Sequence, residues 1–334
     1  MTGTLKGKRV AICGGAGLLG HSLALSLKQQ GADVSVVDHF LTNNLGRWMA
    51  DTSPYRDRYI GFLLQRVNLL RQADIPLFSC ELRDYGETSH TLKKLDPHTV
   101  VHLAAVSHAG KSNRDEHDAF SQSILTLKNV RDYARGTHNC HLIYQSSSMV
   151  YGTIQGRALE DDRLDPLGYY GNYKLAAERM VWASAQVDGL AVTVVRPSAL
   201  YGPRCVSRRV IQIFIEAAMA GEPLLVAGDG TERLDFTFVD DWVQGLLLVI
   251  AKPEISIGQT FNIAYGGARS LNDLVNVVRA HFPNVQVDYI SRDPTYSLRD
   301  TLDCEKARTL LGYTAQWPLE RGIAALVEWY RDAS

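Results

Sequence analysis

Short apolar runs recur along the first two-thirds of the chain, and most are followed by a stretch with helical spacing. Arg9-Val10-Ala11-Ile12-Cys13 is the first; Leu19, Leu23 and Leu27, with Ala24 between them, then mark one face of a helix. Val34-Ser35-Val36-Val37 reads as a second strand ending on Asp38. Pro76-Leu77-Phe78-Ser79-Cys80 is a third, running into Glu81-Leu82-Arg83-Asp84. A fourth, Thr99-Val100-Val101-His102-Leu103, ends in the small residues Ala104-Ala105-Val106. Residues 60–70 have helical spacing, and Arg56, Arg58, Arg66 and Arg71 around them read as the solvated, charged edges of that helix. Residues 112–135 read as one long helix, His141–Gln145 as strand five and 191–195 as strand six, closing with Arg196-Pro197. Continuous apolar strands separated by helices predict an α/β protein whose parallel sheet is covered on both faces.

After Arg204 the pattern changes to a helix over Val210–Ala220, a turn at Gly228-Asp229-Gly230 and further mixed elements. Residues 259–263 read as one more strand, returning to the main sheet, and residues 271–281 and 319–331 as closing helices. The expected division is a sheet domain over 1–203, rejoined near 259–264, and a smaller mixed α/β unit over 204–334. No repeat or low-complexity linker separates the two, so they should pack directly.

Composition narrows the function classes. The 334 residues carry a formal charge of −1, with no basic stripe for nucleic acid. The most apolar run, residues 245–251, is far too short to span a bilayer, and the polar first nine residues are no secretory signal. Five cysteines (Cys13, Cys80, Cys140, Cys205, Cys304) lie scattered with no Cys-x-x-Cys pair, so reduced thiols in a cytoplasmic protein are expected, and no metal site.

Two stretches carry candidate chemistry. Gly14-x-x-Gly17-x-x-Gly20 follows the first strand and opens the first helix, the context in which glycines let backbone approach a pyrophosphate and a helix amino terminus offers free N–H groups. Asp38, at the end of the next strand, is placed to accept from both hydroxyls of an adenosine ribose and would repel a 2′-phosphate, favouring NAD over NADP. The second stretch pairs Ser146-Ser147-Ser148-Met149 with Tyr170 and Lys174, which stand four apart on one helix face. An ammonium about 6 Å from a phenol, at an effective dielectric of about 20, favours phenolate by roughly 3 kcal/mol, or about two pKa units. That brings a tyrosine within range of acid–base work.

In this order and spacing the chain resembles the extended short-chain dehydrogenase/reductase family, in its nucleotide-sugar epimerase/dehydratase branch. The landmarks are Gly14 to Gly20, Asp38, His102-Leu103-Ala104-Ala105, Ser147 through Gly152, Tyr170 with Lys174, Arg196-Pro197, Tyr201-Gly202-Pro203, Gly228-Asp229-Gly230 and Leu310-Leu311-Gly312-Tyr313. The resemblance implies a Rossmann doubly wound sheet with a C-terminal substrate domain, a homodimer, NAD as cofactor and a nucleotide-diphosphate sugar as substrate. It implies that Tyr170 is the acid–base group, that Lys174 orients the nicotinamide ribose and that Ser147 hydrogen-bonds the reacting sugar oxygen. It places the cofactor against Gly14, Ala16, Gly17, Leu18, Leu19, Gly20, Asp38, Glu81, Leu82, Leu103, Ala104, Ala105, Tyr170, Lys174, Arg196 and Ser198. The sugar nucleotide is expected against Ser107, Ser147, Ser148, Met149, Tyr170, Arg204, Arg209, Arg233 and Arg292. Ser146, Tyr169 and Tyr173 read as packing or capping neighbours.

The chain departs from the pattern at informative places. Dehydratases of this branch carry Asp-Glu, and decarboxylases Ser-Glu, in the two positions after the catalytic hydroxyl; here they are Ser148-Met149. A thioether cannot move a proton, which disfavours both and leaves epimerisation, at sugar carbon 4 by preference, or a net dehydrogenase or reductase. Where relatives place a diphosphate-clamping arginine this chain has Leu234, with Arg233 one step away and so on the other face of a strand. Arg204, Arg208, Arg209, Arg292 and Arg299 are the candidates for the phosphates. Ser123 stands where relatives carry a helix asparagine, and Glu81 where they carry an aspartate.

Overall fold

The computed structural model describes residues 5–41, 44–106, 109–137, 140–293 and 297–332. At its centre lies a seven-stranded sheet built from β1 (Arg9–Cys13), β2 (Asp33–Asp38), β3 (Leu77–Ser79), β4 (Thr99–His102), β5 (His141–Gln145), β6 (Ala191–Arg196) and β7 (Gln259–Asn262). Their order is β7-β6-β5-β4-β1-β2-β3, and every pairing is parallel. The return of residues 259–262 is real: Gln259 pairs with Thr193 and Asn262 with Arg196.

Alternation along the strands explains why the sheet is covered twice. Val10, Ile12, Val34, Val36, Val101, Ile143 and Val195 point to one face, where they meet Leu23, Leu27, Phe62 and Trp242. Ala11, Cys13, Val37, Val100, Leu142, Val192 and Val194 point to the other and meet Leu92, Leu127, Val130 and Val181. The first face is covered by α1 (Leu18–Gln29), α2 (Arg56–Gln72) and the helix Val239–Ala251; the second by Tyr85–Leu95, Thr126–Arg135 and Gly168–Asp188. The C-terminal elements share the first core: Phe214, Val226, Leu274 and Leu326 continue it without a break.

Two expectations are corrected. Residues 112–135 are not one helix but Ala109–Arg114, Glu116–Phe120, a wide π turn over Ser121–Leu125, and Thr126–Arg135. Asp115 breaks the run because its side chain accepts the Asp118 N–H and starts a new helix. Thr126 Oγ1 donates to the Gln122 carbonyl at 2.7 Å within the widened turn. The second correction concerns α2. Its stripe Tyr59, Phe62, Leu63, Leu70 is buried as the spacing implied, but Arg66 lies on that same stripe and is 2% exposed, so it is no solvated edge.

Four cysteines are buried and the fifth half-buried, all of them free thiols. No helix among the described residues is long and apolar enough to cross a membrane.

Candidate active site

The cleft lies along the carboxyl edge of the sheet and has two lobes that share Leu19, Leu103, Ala105, Leu200 and Arg209. Counting their open mouths they hold about 920 and 1900 Å³.

The smaller lobe is built around the turn between β1 and α1. Gly14 adopts φ +81, and a Cβ there would stand 2.7 Å from the Ala104 nitrogen at the end of β4. Only glycine lets the two strand ends meet. No side chain caps Gly17 at the start of α1, which leaves that amino terminus to a ligand. Gly14, Gly17, Leu18, Leu19, Gly20, Asp38, Glu81, Leu82, Leu103, Ala104 and Ala105 all line this lobe. Asp38 is 6% exposed; its carboxylate accepts the Ala16 N–H at 3.0 Å and the Phe40 N–H at 2.8 Å, which fixes it at the mouth of β2. Ala16 sits just beneath the surface, its N–H spent on that bond. Gln122 and Thr126, raised by the π turn, complete the wall. An uncapped helix terminus, a glycine contact with no room for Cβ and a fixed carboxylate one strand away fit an adenine dinucleotide with a free 2′-hydroxyl.

The larger lobe carries Ser147, Tyr170 and Lys174. β5 ends at Gln145, and Ser147 then caps a short 3₁₀ turn, its Oγ accepting the Met149 N–H at 3.2 Å. The helix Gly168–Asp188 can lie against this turn because residue 171 is glycine: a Cβ there would be 2.8 Å from the Met149 carbonyl oxygen. That approach brings Tyr170 to face Ser147. Ser147, Ser148, Met149, Tyr170, Lys174 and Ser198 line the lobe together with Arg209, Arg292 and Arg299.

The electrostatics differ from the sequence argument. Burial raises the Tyr170 pKa, and the groups that pull it back are the Arg209 charge and the Ser147 hydroxyl. Lys174 is not among them. Lys174 is 3% exposed, and its ammonium donates to the Gln145 carbonyl at 2.7 Å and lies 6.0 Å from the centre of the Tyr170 ring. Burial takes Lys174 down to about 8, with Glu178 opposing. Beneath it, burial and then the Lys174 charge hold His102 at about 3, so that imidazole stays neutral.

Three expected contacts lie elsewhere. Arg196 does not reach the cleft: it is 4% exposed, forms two bonds to Glu178 at 2.9 and 2.7 Å, and donates to the Tyr151 hydroxyl and the Glu160 carbonyl. Its task is to fasten β6 to the helix Gly168–Asp188. Arg204 turns under α1, where its Nε meets His21 Nε2 at 3.1 Å and its guanidinium packs on the Trp329 ring. Arg233 points away from the lobe to Asp300 and the Ala268 carbonyl, while Leu234, 4% exposed, takes the inward direction that strand alternation assigns it. Arg292 and Arg299 flank Glu232 at 3.2 and 3.9 Å in the lobe wall. Arg208 is held by Glu216 and the Tyr55 ring. Ser107 lies outside the described residues.

Sequence reasoning missed Arg66, Gln122, Thr126 and Glu232 as cleft residues. For Arg66 the signal was there, in its place on an apolar stripe. For Gln122 and Thr126 it was not, since nothing local announces a π turn.

Residues 10–264 match the NAD dependent epimerase/dehydratase family. A dTDP-glucose 4,6-dehydratase of Xanthomonas campestris is 28% identical over 96% of this chain and 92% of its own. Among solved structures, UDP-glucuronic acid 4-epimerase from Bacillus cereus, in complex with UDP-glucuronic acid and NAD, superposes with TM-score 0.86 at 22% identity, covering 97% of this chain and 99% of its own. UDP-glucose 4-epimerase from Thermotoga maritima, with UDP-glucose, gives TM-score 0.84 at 24% identity, covering 97% and 98%.

Proposed function

The chain belongs to the NAD-dependent epimerase/dehydratase family, and from that premise we propose that it inverts a nucleoside-diphosphate sugar at carbon 4 through a transient 4-keto sugar. The observation that carries this reading is the surface around Tyr170. Met149 stands beside Ser147 and Tyr170 in the lobe wall, and among the described lining residues the only carboxylates are Glu232 and Asp293. Glu232 is held by Arg292 and Arg299. A dehydratase needs a group beside the triad that removes a ring proton and another that protonates a leaving hydroxyl. Epimerisation needs neither.

NAD⁺ held in the smaller lobe would supply the hydride acceptor for sugar carbon 4 and the donor for its return. Tyr170 removes the proton from the carbon-4 hydroxyl and gives it back after the ring has turned. Arg209 and the Ser147 hydroxyl favour its anion during the first half. With sugar bound, Ser147 turns its single O–H from the phenol to the sugar oxygen, and Lys174, anchored on Gln145, presents its remaining N–H groups to the nicotinamide ribose. Met149 and Leu234 form apolar wall against which the keto sugar can turn. The diphosphate is held at Arg292, Arg299 and Arg209. Exposed Phe120, Leu125, Tyr169 and Val187, on the helical segments before β5 and β6, support assembly as a homodimer.

The test is to incubate UDP- and dTDP-linked hexoses with the protein in deuterated water and follow stereochemistry by NMR. Inversion at carbon 4 with protium retained there is the expected outcome. Loss of the carbon-6 hydroxyl with deuterium uptake would establish the dehydratase reading that the Xanthomonas relative favours, and net NADH would mean a dehydrogenase.

A further inference from the structure

Arg66 is a buried cation with no acid paired to it among the described residues; Asp38 acts on its charge without a direct contact. The arginine is 2% exposed, it lines the smaller lobe beside Gly17 and Asp38, and no ion pair to it is found among the described residues. Nη1 donates to the Ala16 carbonyl within the glycine turn, at 3.3 Å, and Nη2 to the Arg204 carbonyl. Nε has no partner. The other ionisable groups acting on it are the Cys205 thiol, the Arg204 guanidinium and Asp38. Both Asp38 oxygens already accept backbone N–H groups, from Ala16 and Phe40. His21, fully buried next to Arg204, is kept neutral by burial and by the same two guanidinium charges. Three basic side chains are thus gathered under the one turn that accepts a diphosphate. Proteins seldom bury a charge without a counter-ion, because the desolvation cost stays uncompensated.

We propose that Arg66 is a charged anchor for the diphosphate of the dinucleotide, supplying from α2 a guanidinium that the glycine turn, with only backbone N–H groups, lacks. The ordinary site of this type holds the pyrophosphate on the turn and the helix dipole alone. Here the anion also completes the balance of a buried guanidinium, and charge-assisted bonds of that kind are stronger than neutral ones. The consequence is a cofactor that stays bound between the two halves of the reaction, as a catalyst that returns its own hydride requires. The inference rests on the assignment of NAD to this lobe and not on which sugar is turned over.

The experiment compares wild type with Arg66→Met and Arg66→Lys, stripped of cofactor, by calorimetric titration with ADP, NAD⁺ and adenosine and by thermal melting without ligand. The expected result is that Arg66→Met weakens ADP and NAD⁺ by about ten- to a hundredfold while adenosine changes by less than about twofold. Its ligand-free melting temperature equals or exceeds wild type, because an unbalanced charge has left the interior. Arg66→Lys keeps the charge without the planar fork and falls between the two in ADP affinity. If Arg66 only staples Ala16 to Arg204, both variants melt lower and bind ADP as wild type does, which overturns the proposal. Should the methionine variant not fold, a lysine variant with wild-type ADP affinity and a lowered melting temperature overturns it equally, and one with weakened ADP but unchanged adenosine binding supports it. None of these readouts depends on turnover, so the proposed epimerase activity can fail without deciding them.

Discussion

At the scale of single residues, the charge that opposes burial at the Tyr170 phenol stands 39 positions away in sequence, at Arg209, which the sequence offered only as a phosphate ligand. Burial pushes the Tyr170 phenol up, and Arg209 opposes that push, with Ser147 adding a hydrogen bond. Lys174, four residues along, points its charge at a backbone carbonyl instead. Replacing Arg209 by leucine should therefore move the acidic limb of the kcat/KM profile for the oxidation step to higher pH, with Arg209→Lys shifting it less. The measurement is the pH profile itself: an unmoved limb, with only KM changed, would leave Arg209 as a phosphate contact and nothing more. Tyr170 and Lys174 could be paired from the sequence because their relation is one helical turn, and Ser147 joined them through the family resemblance. Arg66 and Arg209 could not be given roles, since each depends on which distant backbone closes over it.

Among the elements, the helix Gly168–Asp188 matters most, because it is pinned to the sheet by two buried cations. Arg196 reaches it from β6 through Glu178, and Lys174 reaches out from it to the end of β5. Lys174 titrates at about 8 in the folded protein against an ordinary 10.5, so between those values the unfolded chain binds more protons and stability rises with pH. Relative to Lys174→Met, the cofactor-free wild type should gain up to roughly 3 kcal/mol between pH 7 and pH 10.5, the full shift of about 2.5 units. Urea denaturation of both proteins at the two pH values checks this, and parallel behaviour would mean the ammonium is not desolvated. The one element the sequence misdrew, residues 112–135, failed for a chemical reason. Asp115 and Thr126 each offer the backbone a side-chain partner that a periodicity argument does not weigh.

For the molecule as a whole, the returning strand and one shared core bind the two halves together. β7 completes the sheet after the chain has visited the smaller unit. Glu216, 3% exposed on the helix Val210–Ala220, accepts from Tyr59 on α2 and from Tyr330 on the last helix. Unfolding in urea should therefore be a single transition, with far-ultraviolet dichroism and tryptophan fluorescence coincident. Trp242, Trp317 and Trp329 report on the first core and Trp182 on the second, so the fluorescence covers both faces of the sheet. Separated midpoints would show that the C-terminal elements melt independently.

Local periodicity and glycine spacing determined the parallel sheet, most of its helices and the nucleotide turn, because strands, turns and helix faces are written in neighbouring residues, while Ser147 was singled out beside Tyr170 and Lys174 only by the family resemblance. Tertiary structure alone decided that Arg196 and Arg204 leave the cleft, that Arg66 enters it and that Arg209 rather than Lys174 acts on the phenol. A charged side chain has several partners within reach, and the one it takes is set by desolvation and by which remote carbonyl or carboxylate the packed core brings beside it.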